Sequence, residues 1–262
     1  MKNRKMKKKH LFFDIDGTLV SHVGASHVPA ETRAALEGLR AKGHTLAIAT
    51  ARSFFLTRPV AKELEFDLLV CSSGAHVLQG DRTLRAIWLP DSAFEPFRDA
   101  ASAFPEEAAA LDDRWTYSDG VSDELRAYLN DQAGYDCIRP ISDLRQAFSF
   151  YFFAPSTPPD CRLFHFPPPD VTFHRTSHYA ELRAAGTTKW SGILELTRHL
   201  GFPQEDIITF GDGSNDMEML REAGLGVAVG AAHESAKAVA DLVTDDIDSG
   251  GILNACRTLG LL

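Results

Sequence analysis

Short apolar runs without polar alternation recur along this chain, and each stops at an aspartate, a threonine or a glycine. Leu11-Phe12-Phe13 runs into Asp14, Leu46-Ala47-Ile48-Ala49 into Thr50, and Ile207-Ile208-Thr209-Phe210 into Gly211-Asp212. A strand that is apolar on both faces must be covered on both, as in a parallel sheet between layers of helix. The surrounding pattern predicts strands near 11–14, 45–49 and 67–71, alternating with helices near 30–41 and 53–64. After residue 187 it predicts a helix over 189–200, a strand over 207–211, a helix over 215–223 and a strand over 225–229. A helix over 233–240, a short strand near 242–243 and a terminal helix complete it. The fold class is therefore α/β, with a Rossmann-like parallel sheet at its core. Ligands in such sheets collect beyond the carboxyl ends of the strands, which is where this chain places its carboxylates.

The first cluster is Asp14-Ile15-Asp16-Gly17-Thr18. Residues two apart in a strand share a face, and Gly17 permits a turn there because no Cβ opposes positive φ. Two neighbouring carboxylates repel, and a cation relieves them. Asp-Gly is also ordinary turn chemistry, so the reading depends on partners elsewhere in the chain.

Three segments supply them. Thr50 ends the second strand, with Ser53 placed to cap the helix that follows. A hydroxyl beside free N–H groups at a helix start can hold an anion. Lys189 begins a helix, where the dipole disfavours a cation. In Gly211-Asp212-Gly213-Ser214-Asn215-Asp216-Met217, two aspartates four apart suit Mg²⁺, which takes few carboxylates and completes its shell with water and phosphate oxygens.

In order and spacing, these four segments resemble the four motifs of the haloacid dehalogenase (HAD) superfamily of phosphohydrolases. The Cof-type branch, with its GDGxNDxxM, is the nearest in pattern. The resemblance implies an HAD-like core over 11–85 and 185–262, interrupted by an inserted α/β cap over 86–184. It implies Asp14 as nucleophile and Asp16 as general acid and base. It implies Mg²⁺ held by Asp14, the Asp16 carbonyl and Asp212, with Asp216 in a second shell or acting through water. Thr50, the Ala51 N–H, Lys189 and Asn215 would bind phosphoryl oxygens, Thr18 and Gly17 would shape the loop, and Arg52 would face the substrate. The implied activity is a Mg²⁺-dependent phosphomonoesterase of sugar phosphates or phosphorylated cofactors, working through an aspartyl-phosphate. Because Asp16 is present, the intermediate is expected to turn over rapidly. A phosphotransferase or phosphomutase keeps the same residues, and a non-catalytic phosphometabolite sensor is the third reading. Two positions depart from the family pattern. Ala51 stands where Thr-Gly-Arg is usual; if positive φ is required there, alanine carries about 1 kcal/mol of strain. Ser72-Ser73-Gly74-Ala75 stands where Asn-Gly-Ala is common.

Composition narrows the classes. The 262 residues carry a formal charge of −9, although six of the first ten side chains are basic. An acidic body argues against nucleic acid as a partner, and residues 1–10 are expected to form a solvated, disordered basic tail. No apolar run reaches membrane-spanning length, and none reads as a secretory leader. Cys71, Cys137, Cys161 and Cys256 are scattered without CxxC spacing, as expected of reduced thiols in a cytoplasmic protein. A monomer or weak homodimer is expected.

Between about 86 and 184 the pattern changes. An aromatic strand over 147–153 and helical patches near 91–103 and 121–133 are broken by proline clusters at 155–159 and 167–169. Asp112, Arg114, Trp115, Arg139, Arg162, His174, Arg175 and His178 could contact a substrate there, yet each suits a surface or packing role equally, and none is singled out. His174 and His178 are four apart, but in strand and turn rather than helix, so no histidine metal site is expected.

Overall fold

The structure, a computed structural model, describes residues 7–130, 137–153, 168–175 and 179–262. It opens with β1 (His10–Phe13), α1 (Ala30–Ala41), β2 (Thr45–Ala49), α2 (Phe54–Glu63) and β3 (Leu68–Cys71), then turns back through β4 (His76–Gln79) and β5 (Arg82–Ala86). There follow α3 (Phe94–Ala103), β6 (Ala108–Leu111), β7 (Thr116–Tyr117), α4 (Asp123–Asn130), β8 (Ile138–Arg139), β9 (Ser149–Phe152), β10 (Val171–Arg175) and β11 (Ala180–Ala184). The chain closes with α5 (Lys189–Leu200), β12 (Ile207–Gly211), α6 (Met217–Glu222), β13 (Leu225–Ala228), α7 (Glu234–Lys237), β14 (Leu242–Val243) and α8 (Gly251–Thr258).

Two sheets result. The larger runs β14-β13-β12-β1-β2-β3-β4-β5 and is parallel from β14 to β3. The antiparallel strands β4 and β5 extend it at one edge. The sequence pattern did not reveal these two strands: β5 has little buried surface to mark it, and β4, though buried, is only four residues long. The smaller sheet, β10-β11-β9-β6-β7-β8, comes wholly from residues between β5 and α5. Here the predicted 147–153 strand shortens to β9, and part of the predicted 121–133 helix lies outside the described residues, as do Cys161, Arg162 and His178.

β1 shows why its apolar run is unbroken. Leu11 and Phe13 pack into one core layer with Leu36, Leu39, Phe210 and Ile252, while Phe12 packs into the other with Val70, Trp190 and Ile193. Phe13 stacks on Phe210 at 4.8 Å between ring centres. Burying both faces makes β1 the central strand, and the chain diverges to its two sides after it. The crevice between β1 and β12 is the switch point of the sheet.

Two expectations need correction. Residues 7–10 are not a solvated tail: Lys7 and Lys9 pair with the buried Asp206 at 2.7 and 2.8 Å, and His10 is already in β1. Ser53 precedes α2, but its buried hydroxyl makes no capping bond. Cys71 and Cys256 are buried free thiols and Cys137 is buried, and no helix among the described residues is long and apolar enough to cross a membrane.

The loop after β3 presses on the start of α5. Gly74 has φ +92°, and a Cβ there would lie 1.9 Å from the Thr188 carbonyl oxygen. Gly74→Ala is therefore expected to cost at least about 2 kcal/mol, adding left-handed strain to overpacking. Denaturant unfolding measures this, and an unchanged midpoint contradicts it.

Candidate active site

The β1–β12 register pairs Phe13 with Phe210, so Asp14 and Asp212 leave neighbouring strand ends within one residue of each other. The Asp14 N–H donates to the Phe210 carbonyl at 3.0 Å. Gly17, at φ +80°, lets the loop double back; a Cβ there would stand 2.3 Å from an Asp212 oxygen. Thr18 Oγ1 donates to Asp212 Oδ1 at 2.8 Å. These two residues shape the loop, as the motif implies.

Lys189 enters from α5. Thr188 and Ser191 form a reciprocal capping box that fixes the helix start, and the Lys189 side chain turns inward. Its Nζ lies 2.7 Å from Asp14 Oδ1 and 2.6 Å from Asp216 Oδ1. The other oxygen of Asp216 accepts the N–H groups of Asp212 and Gly213 at 3.0 and 2.9 Å. Asp216 thus spends both oxygens holding the Asp212 loop and Lys189.

The Asp16 side chain diverges from Asp14. Arg52 grips both of its oxygens, from Nε at 2.8 Å and through Nη2, and His22 Nε2 lies 2.9 Å from Oδ1. Thr50 is buried and its Oγ1 accepts the Arg52 N–H at 3.2 Å. Ala51 is not among the positive-φ residues, so alanine is unstrained there; near the site it is Ser72 and Ser73 that adopt left-handed backbone, at φ 48° and 51°.

The charges are unevenly balanced. Burial pushes the Asp14 carboxyl well above its usual value against the pull of Lys189, with Asp216, Asp212 and Asp16 adding to the push. Asp212 is pushed up to about 7 by burial and then by Asp216, opposed by Thr18 and Lys189. Burial would lower Lys189, but Asp14 and Asp216 hold its ammonium above the ordinary range. Burial likewise opposes ionisation of Asp16, yet Arg52, helped by His22, holds that carboxyl well below the usual range. Oxygens of Asp14, Asp212 and Asp216 come within 4.8 Å of one another. Crowded carboxylates with hard oxygen donors fit a divalent cation of the Mg²⁺, Mn²⁺ or Ca²⁺ kind.

A cavity of about 790 Å³ opens above this cluster, lined by Asp14, Asp16, Gly17, Thr50, Ala51, Arg52, Asp212 and Asn215. Lys189, Asp216 and Thr18 lie buried beneath or beside it. The fold thus brings together every site residue named from the sequence. It adds His22, Tyr128, Tyr179, Ser214 and His233, for which the sequence carried no signal, and Arg175, one of eight unranked candidates. Other candidates serve elsewhere: Asp112 accepts the N–H groups of Arg114 and Trp115, and Arg139 covers the Trp115 ring.

The sequence profile of the haloacid dehalogenase-like hydrolases matches residues 11–256. Bacillus subtilis (strain 168) YkrA is 29% identical over 98% of this chain and 100% of its own. A phosphoglycolate phosphatase of Methanopyrus kandleri is 26% identical over 94% of each chain. The solved structure of the HAD subclass IIB sugar phosphatase BT4131 superposes with a TM-score of 0.84 at 28% identity, over 97% of this chain and 100% of that one. The chain belongs to the haloacid dehalogenase-like hydrolases, among the superfamily's Cof-type phosphatases.

A raised carboxylate pKa has a signed consequence. Between pH 4 and 7 the folded protein holds a proton on Asp212 that the unfolded chain has released, so stability falls as pH rises through that window. Asp212→Asn should therefore stabilise the metal-free protein at pH 8, by on the order of 1–3 kcal/mol. Urea unfolding in chelator reads this, and no gain would contradict it.

Proposed function

We propose that this protein is a Mg²⁺-dependent phosphomonoesterase of small phosphorylated metabolites that works through an aspartyl-phosphate on Asp14. The observation that carries it is the division of labour between the two motif carboxylates. Asp14 faces Lys189 and Asp212, where charge can be neutralised. Asp16 stands apart on Arg52 and His22, facing the same cavity.

Asp14 attacks phosphorus, the bond to the leaving oxygen breaks, and Asp16 supplies that oxygen's proton. Water then gives a proton to Asp16 and attacks the acyl phosphate, which frees Asp14. While Arg52 grips both its oxygens, Asp16 is held as the base; proton donation requires the guanidinium to let go. An incoming phosphate dianion offers Arg52 another anionic partner. Lys189 offsets the charge of Asp14, and Thr50, the Ala51 N–H and Asn215 receive phosphoryl oxygens. Asp14, Asp212 and the Asp16 carbonyl, with Asp216 behind them, would hold Mg²⁺, which would supply Lewis-acid neutralisation of the phosphoryl charge. Residues 86–184 form the cap that excludes water and holds the rest of the substrate. Transfer to a sugar acceptor would use the same residues; the phosphatase relatives favour water as acceptor.

Wild-type protein is expected to hydrolyse p-nitrophenyl phosphate with Mg²⁺ and to stop when the metal is chelated. Asp14→Asn should lower kcat by at least about 10³-fold, as loss of a nucleophile does. Asp16→Asn should accumulate acid-stable phosphoenzyme seen by intact mass. Turnover surviving in Asp14→Asn sinks the mechanism, and absence of wild-type turnover favours a sensor.

A further inference from the structure

We propose that Arg175 receives a second anionic group of the substrate, so that the cavity prefers phosphate esters bearing a carboxylate or another phosphate. This deepens the phosphatase reading above and rests on it. The other cations around the site are already committed. Lys189 is shared between Asp14 and Asp216, and Arg52 is held by Asp16. Arg175 lines the same cavity, and among the described residues no carboxylate pairs with it.

Its position is set by the smaller sheet rather than by chance exposure. Arg175 is the last residue of β10, in register with Ala180 of β11, beside Tyr179. The preceding His174 Nε2 lies 3.5 Å from Ser214 Oγ, on the loop that carries Asn215. The end of β10 therefore stands over the phosphate end of the cavity while belonging to the opposite wall. Tyr128 and Tyr179 line the cavity with it, offering an aromatic surface to the substrate's body. A volume of about 790 Å³ accommodates a ligand much larger than a phosphoryl group. A guanidinium matches carboxylate or phosphate with two parallel hydrogen bonds, a fit that neutral hydroxyls do not give. The carboxylates of the core repel a second anion from their own end, leaving Arg175 as its receptor.

The test compares matched esters: 3-phosphoglycerate against glycerol 3-phosphate, and fructose 1,6-bisphosphate against fructose 6-phosphate. For wild type, kcat/KM should favour the member with the extra anion in at least one pair, and which pair it is tells carboxylate from phosphate. Arg175→Gln should cut that preference at least tenfold, chiefly through KM, and Arg175→Lys should keep part of it. Arg175→Glu should shift preference toward phosphoethanolamine, with its ammonium group. Thermal melts confirm that each variant is folded. An unchanged ratio overturns the proposal. An equal loss on both members of each pair also overturns it, placing Arg175 on the transferred phosphoryl group. If wild type turns over no ester at all, including p-nitrophenyl phosphate, the phosphatase reading itself has failed.

Discussion

One ammonium group, that of Lys189, ties the site together. It lies only 2% exposed between Asp14 on β1 and Asp216 beyond β12, on a side chain that comes from the start of α5. Burying a charge costs several kcal/mol unless it is well paired, and here each partner makes the others tolerable. Remove the lysine, and two buried carboxylates face each other with Asp212 close by. The contact therefore does more for position than for net stability. It joins three segments 202 residues apart in sequence at their extremes (Asp14 to Asp216) and leaves an excess of negative charge opening on the cavity. Chemistry on a phosphate dianion at such a place requires that this excess be neutralised.

The two sheets meet through a second buried charge. Glu181 is wholly buried and receives Ser73 at 3.1 Å and Arg183 at 3.3 Å. Tyr151 Oη lies 3.1 Å from Glu181 and 3.4 Å from the Ala51 carbonyl oxygen. Ser73 sits in the left-handed region, where a non-glycine residue costs about 1–2 kcal/mol. That strain is offset by the bond it allows to a carboxylate with no access to water. Nearby, Trp88, Phe148 and His76 stack in succession at 3.8 and 4.7 Å. A polar contact and an aromatic column thus hold the smaller sheet over the strand ends of the larger one.

Asp16 and Arg52 couple this junction to the reacting centre. Arg52 is buried, follows Ala51 directly, and occupies the carboxylate that the proposed mechanism needs free. In that mechanism substrate phosphate and Asp16 compete for one guanidinium, so that arrival of the first would favour release of the second.

Much of the catalytic half was legible before any coordinates. Apolar runs buried on both faces announce parallel strands, and Asp14, Thr50 and Asp212 stand directly after them, so strand order alone brings these residues to one edge. Gly17 was readable because only glycine combines positive φ with the close approach of Asp212. Tyr128 and Tyr179 were not readable, since their side chains reach the cavity through packing between distant segments that no local period records, and His22, six residues from Asp16, lies in a loop with no period to read. The divergence of Asp16 from Asp14 was also hidden: spacing places both on one strand end, and Arg52, 36 residues away, holds the second one turned aside together with His22. Sequence determined the parallel strands of the larger sheet, the turn at Gly17 and the inventory of charges, because these obey local rules of burial and backbone geometry. Tertiary structure decided which charges pair and which face the cavity open, because pairing depends on distances that exist only after the two sheets have closed on each other.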